Sequence, residues 1–129
     1  MRVAISSQGK RREAQVEPWL GRAAYFLIVD TDSMIFDPLE NESPGESPEL
    51  DEINAARLLV DAGVQAVLTG NCGREVRRMF ATAGIKVFQS SPGTVEEAVE
   101  QYQAGKLVEV PAPGIRMPVE AGVPAAGEP

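Results

Sequence analysis

A mixed α/β sheet of about five strands with helices on both faces is the architecture this sequence predicts, and three observations predict it. Short apolar or β-branched runs separated by turn residues fill the first part of the chain, as antiparallel strands do. From Ser47 onward, segments of helical spacing alternate with short apolar runs, a βαβ pattern that requires parallel strands joined by right-handed crossovers. At 129 residues the chain has the size of one domain with one core. The predicted order is βββαβαβα.

The first strand is Arg2 to Ser6, short and β-branched; the second, Ala24 to Asp30, is a continuous apolar run; the third, Ser33 to Leu39, follows Thr31-Asp32 and pairs with the second as a hairpin. Acidic residues without a basic one mark Asp37 to Glu52 as a solvated loop leading into a helix start. Ser47 and Pro48 open that helix, whose stripe is Ile53, Ala56, Leu59, Val60 and Gly63. Gln65 to Thr69 is the fourth strand, and Gly70-Asn71-Cys72-Gly73 is a turn. The second helix repeats Val76, Met79, Phe80 and Ala83 and stops at Gly84, a left-handed C′ position. Ile85 to Phe88 is the fifth strand. Thr94 and Glu97 form a capping box for the last helix, which buries Val95, Ala98, Val99 and Tyr102 and ends near Gly105. Residues 1–109 form the domain, and 110–129, rich in proline and glycine and without periodicity, read as a flexible tail.

Composition removes several function classes. A net charge of −7 makes a nucleic-acid backbone or an anionic membrane surface an unsuitable main partner. With no histidine, imidazole-dependent catalysis and His-ligated zinc or haem are excluded. One cysteine, Cys72, allows neither an intrachain disulfide nor a four-cysteine metal centre. The start of the chain has no apolar signal region, and with the lone cysteine this leads us to expect a cytoplasmic protein.

Ligands of open α/β sheets bind beyond the carboxyl ends of the parallel strands. Three loops qualify: Ser6-Ser7-Gln8-Gly9, Gly70-Asn71-Cys72-Gly73 and Gln89-Ser90-Ser91-Pro92-Gly93. In the middle one, Cys72 is expected at the first turn of a helix, where the dipole lowers a thiol pKa and a soft metal finds a ligand; the alternative is a small buried filler. The spacing from Cys72 to Arg78 matches the bare Cys-x5-Arg of thiol phosphatases, but the helical pattern of Val76, Met79 and Phe80 leaves no phosphate cradle. Lys10-Arg11-Arg12 reads as a solvated basic run ahead of an anion site, and for the carboxylates Asp30 and Asp32 a β-turn role of Thr31-Asp32 stands ahead of a metal pair.

In their order and spacing, Arg2-Val3-Ala4-Ile5-Ser6, Pro18-Trp19-Leu20-Gly21-Arg22-Ala23, Leu68-Thr69-Gly70-Asn71-Cys72-Gly73 and Gly93-Thr94-Val95-Glu96-Glu97-Ala98 resemble the dinitrogenase iron-molybdenum cofactor biosynthesis family, small carriers of the NifX and NifB C-terminal type. The likeness spans Met1 to about Val110. It implies a ribonuclease H-like fold in a non-catalytic carrier or chaperone that holds an iron-molybdenum or related molybdenum-copper or molybdenum-iron sulfide cluster, with a cofactor-assembly protein or client metalloprotein as partner. Two histidine positions of that family are occupied here by Trp19-Leu20 and by Asp51-Glu52-Ile53-Asn54. The remaining cluster contacts are then Ser6, Ser7, Arg22, Asn71, Cys72 and Gly73, with Cys72 the metal ligand. Trp19 reads as a core or interface aromatic ahead of an apolar lid over the cluster. Two further readings stand beside the carrier: an interaction or regulatory domain of the same fold that has lost the cluster, and a thiol-dependent phosphatase.

Overall fold

The computed structural model describes residues 1–41, 45, 47–111 and 113. Strands β1 (Arg2–Ser7), β2 (Tyr25–Asp30) and β3 (Ile35–Glu40) form an antiparallel meander. Helix α1 (Pro48–Asp61), strand β4 (Ala66–Thr69), helix α2 (Arg74–Thr82), strand β5 (Lys86–Gln89) and helix α3 (Val95–Gln103) follow. A last strand, β6 (Val108–Val110), lies antiparallel to β5, so the sheet has six strands in the order β3-β2-β1-β4-β5-β6. The parallel pairs are β1 with β4 and β4 with β5.

Side chains alternate across the sheet, and each face has its own helices. Ile28, Ala4, Val67, Val87 and Val110 are register partners in one row across five strands, and all meet the cluster that contains Ala55, Ala56 and Leu59 of α1 and Val76 and Phe80 of α2. The next row, Leu27, Ile5, Leu68 and Phe88, meets Val95, Ala98 and Val99 of α3 on the opposite face. Continuous apolar strands such as Phe26–Val29 are buried on both faces for this reason.

Local sequence sets the ends of the elements. The Ser47 hydroxyl accepts the Leu50 N–H to cap α1, with Pro48 as the first helical residue. Thr94 and Glu97 exchange both hydrogen bonds of a capping box. Gly84 has φ +76° after α2, the left-handed conformation that ends helices at glycine.

Three sequence expectations need correction here. The α1 stripe is Asp51, Ala55, Ala56 and Leu59, whereas Ile53 and Val60 are only partly buried. The sheet has a sixth strand beyond the expected five. The domain does not stop at residue 109, because Val110 pairs with Val87 in that strand. Of the expected tail, residues 112 and 114–129 lie outside the described residues.

Candidate functional site

The carboxyl ends of the parallel strands carry the cleft, as the topology requires. The segment after β1 first crosses those ends. Glu17 N–H donates to the Ser6 carbonyl, the Ser6 hydroxyl donates to the Glu17 carbonyl at 2.8 Å, and Leu20 N–H donates to the Asn71 carbonyl at 3.1 Å. Gly70 permits the crossing: a Cβ there would stand 2.7 Å from the Pro18 carbonyl oxygen. The segment then makes a 3-10 turn, Leu20–Arg22, against the first turn of α1. Gly21 permits this second approach, since its Cβ would lie 2.8 Å from the Glu52 amide nitrogen.

Between this turn, the start of α1 and the β4–α2 loop lies a cleft of about 750 Å³. Trp19, Arg22, Asn71, Cys72 and Gly73 line it, together with Glu49, Asp51 and Glu52 of α1. Four of the residues expected at a ligand site, Arg22, Asn71, Cys72 and Gly73, are thus brought together. Ser6 and Ser7 are not. Both are fully buried beneath the crossing segment, Ser6 bonding to the Thr69 hydroxyl at 2.8 Å and Ser7 to the Gly9 carbonyl at 2.7 Å. Trp19 is not a core residue; it is 52% exposed and forms part of the cleft wall.

The cysteine departs from expectation in position and in acidity. Helix α2 begins at Arg74 with Gly73 as its N-cap, so Cys72 precedes the helix and is half-buried. Its pKa is not lowered but pushed up to about 11, first by burial and then by the Glu52 carboxylate, with Arg77 opposing. The Gly73 N–H, expected to be open to a ligand, donates to Glu52 Oε2 at 2.9 Å. A raised thiol pKa favours the protonated native form. Its contribution to stability is complete below the unfolded value near 9 and is lost as pH rises through about 11. Alkylation by iodoacetamide at pH 8 should therefore run at least tenfold slower than for a free cysteine and keep rising toward pH 11. A plateau near pH 9 would show that the thiol is not perturbed.

The acidic lining is what sequence reading missed. The Asp37 to Glu52 stretch was expected to be solvated, yet Asp51 is buried with its Oδ2 accepting the Gly45 N–H at 2.8 Å, and Glu52 reaches across to α2. Acidic residues in a first helical turn complement the dipole of their own helix, so the pattern alone carried no sign of a second role. Elsewhere, the basic run is exposed, as expected of a solvated run, with Lys10 over the Tyr25 ring at 5.6 Å and Arg12 over the Phe36 ring at 5.4 Å, away from the cleft. The Asp32 N–H donates to Asp30 Oδ1 at 2.9 Å, and Thr31 and Asp32 lie in the expected turn. Helix α2 starts at Arg74, one residue after Gly73, so the stretch from Cys72 to Arg78 offers no loop to cradle a phosphate, and Arg78 pairs with Glu75 at 3.5 Å on that helix. The loop after β5 lines a separate cleft of about 560 Å³ with Lys106. Among the described residues no group of three or more His, Cys, Asp or Glu side chains is placed to hold a metal ion, and no helix is long and apolar enough to cross a membrane.

Fold and cleft together define a small α/β domain with one thiol lining a strand-end cleft. The chain belongs to the dinitrogenase iron-molybdenum cofactor family, whose model matches residues 1–105. It is similar to the orange protein of Desulfovibrio gigas, solved in its apo form, with 31% identity and a TM-score of 0.81 over 88% of this chain and 96% of that one. A Thermotoga protein provisionally named NifB and assigned to the DUF35 family is 35% identical, with a TM-score of 0.68 over 84% of this chain and 91% of its own. An uncharacterised protein of Methanocaldococcus jannaschii is 23% identical over 112 residues, which is 83% of this chain and 89% of the relative.

Proposed function

We propose that this protein is a non-catalytic cytoplasmic carrier that holds a metal-sulfur cluster as cargo during cofactor assembly and passes it to a client metalloprotein. The cluster would be an iron-molybdenum sulfide or a molybdenum sulfide containing copper or iron. The observation that carries the reading is the single thiol of Cys72 facing a cleft of about 750 Å³. The cleft has room for a few metal and sulfur atoms, and a thiol is the donor that soft metals select. Metal binding would displace the thiol proton, Arg22 would meet sulfide by charge-assisted hydrogen bonds, and Trp19 would cover the cargo. We read the order of β1 to β5, with β2 reversed, as a ribonuclease H-like arrangement to which β6 adds an edge.

A second reading, an interaction domain without cargo, is favoured by the exposed indole of Trp19, a side chain enriched at protein interfaces. Anaerobic reconstitution separates the two. Wild-type protein given tetrathiomolybdate with copper(I) or iron(II) should keep sulfur-to-metal charge-transfer bands through desalting. Cys72→Ser should lose at least nine-tenths of that absorbance, roughly a tenfold change, and Arg22→Gln should lose less. Wild-type protein that stays colourless with both metals would remove the carrier reading, and a pull-down with the native lysate would then test the interaction reading.

A further inference from the structure

We propose that Glu52 sets the charge selectivity of the cleft, disfavouring a free thiometallate dianion and admitting a soft cation first at Cys72. The inference rests on the cleft's being the cargo site. Glu52 reaches it from the first turns of α1, where the 3-10 turn packs directly on the backbone of residues 51 and 52. Its carboxylate sits at the N-cap of α2, with Oε2 accepting the Gly73 N–H at 2.9 Å. The other oxygen, Oε1, is so close to Gly73 that a Cβ on this residue would stand 2.5 Å from it.

The start of a helix attracts anions because its N–H groups are free and its dipole is positive there. Here the protein's own carboxylate fills that position. Among the described lining residues, Arg22 is one cation against the three carboxylates of Glu49, Asp51 and Glu52. An incoming dianion would have to displace Glu52 from Gly73 or bind beside it against like charge. A soft cation meets neither obstacle, and once held by Cys72 it lowers the charge of any sulfide that follows. Burial is the main cause of the raised thiol pKa, and the Glu52 carboxylate adds to it.

Two single probes test this: tetrathiomolybdate alone and copper(I) alone, titrated anaerobically at low ionic strength into wild type, Glu52→Gln and Glu49→Gln. Glutamine keeps an acceptor for the Gly73 N–H and removes only the charge, and unchanged circular dichroism confirms the fold. Glu52→Gln should bind tetrathiomolybdate at least tenfold more tightly than wild type and copper(I) no more tightly. Glu49→Gln, with the same change of net charge, should gain less than threefold. Equal tetrathiomolybdate affinity in wild type and Glu52→Gln, no binding by either, or an equal gain in Glu49→Gln would overturn the proposal. Failure of copper(I) to bind the wild type would overturn the admission of a soft cation at Cys72, whereas the carrier reading stands or falls on the reconstitution described above.

Discussion

Phe80→Ala should lower unfolding stability by about 3–5 kcal/mol, the range found when a buried phenyl is deleted and its cavity only partly closes. Phe80 is fully buried near the end of α2 and belongs to the cluster beneath α1 and α2. Its carbonyl also accepts the Ile85 N–H at 2.8 Å, so the helix end and the entry to β5 are fixed at one residue. Domains of this size are stable by only about 5–15 kcal/mol, so the loss would be a large share of the total. Urea unfolding followed by circular dichroism measures it. A fall below about 1 kcal/mol would mean that α2 does not pack on the sheet as described.

Gly70→Val is expected to cost about 1–3 kcal/mol through overpacking, and to do more damage to the cleft than to the core. The added side chain would meet the Pro18 backbone, with Cβ 2.7 Å from its carbonyl oxygen and 2.9 Å from its Cα. The crossing segment must then lift, and it carries Trp19 and Arg22 with it. Reconstituted charge-transfer absorbance should fall together with the unfolding midpoint. A variant with wild-type stability and wild-type absorbance would contradict the crossing.

Much of this fold was legible because local chemistry and tertiary placement agree. Val3 to Ile5 is apolar, with β-branched Val3 and Ile5, and it lies in a strand buried on both faces. Thr94 and Glu97 form the capping box that their spacing predicts, and Gly84 ends α2 in the left-handed conformation. Strand β6 was missed because Val108-Glu109-Val110 is too short for a period and stands before prolines. Only its pairing with β5 makes it a strand.

The site was legible in outline and not in detail. The β4–α2 loop was identified because the carboxyl ends of parallel strands form a crevice whatever their sequence. Ser6 and Ser7 sit at such an end too, but the segment that seals them, Gln15 to Pro18, carries no signal of where it crosses. The acidity of Cys72 was misjudged for a related reason. The helix dipole is a local property, whereas the burial and the Glu52 carboxylate that outweigh it arise from elements distant in sequence.

The central claim is that Cys72 holds a metal-sulfur cargo in the strand-end cleft, and native mass spectrometry of the anaerobically reconstituted chain tests it most directly. One added mass per chain, accounted for by metals together with inorganic sulfide and absent from Cys72→Ser, is the result predicted. A wild-type spectrum showing only the bare chain, or the same added mass in Cys72→Ser, would contradict it.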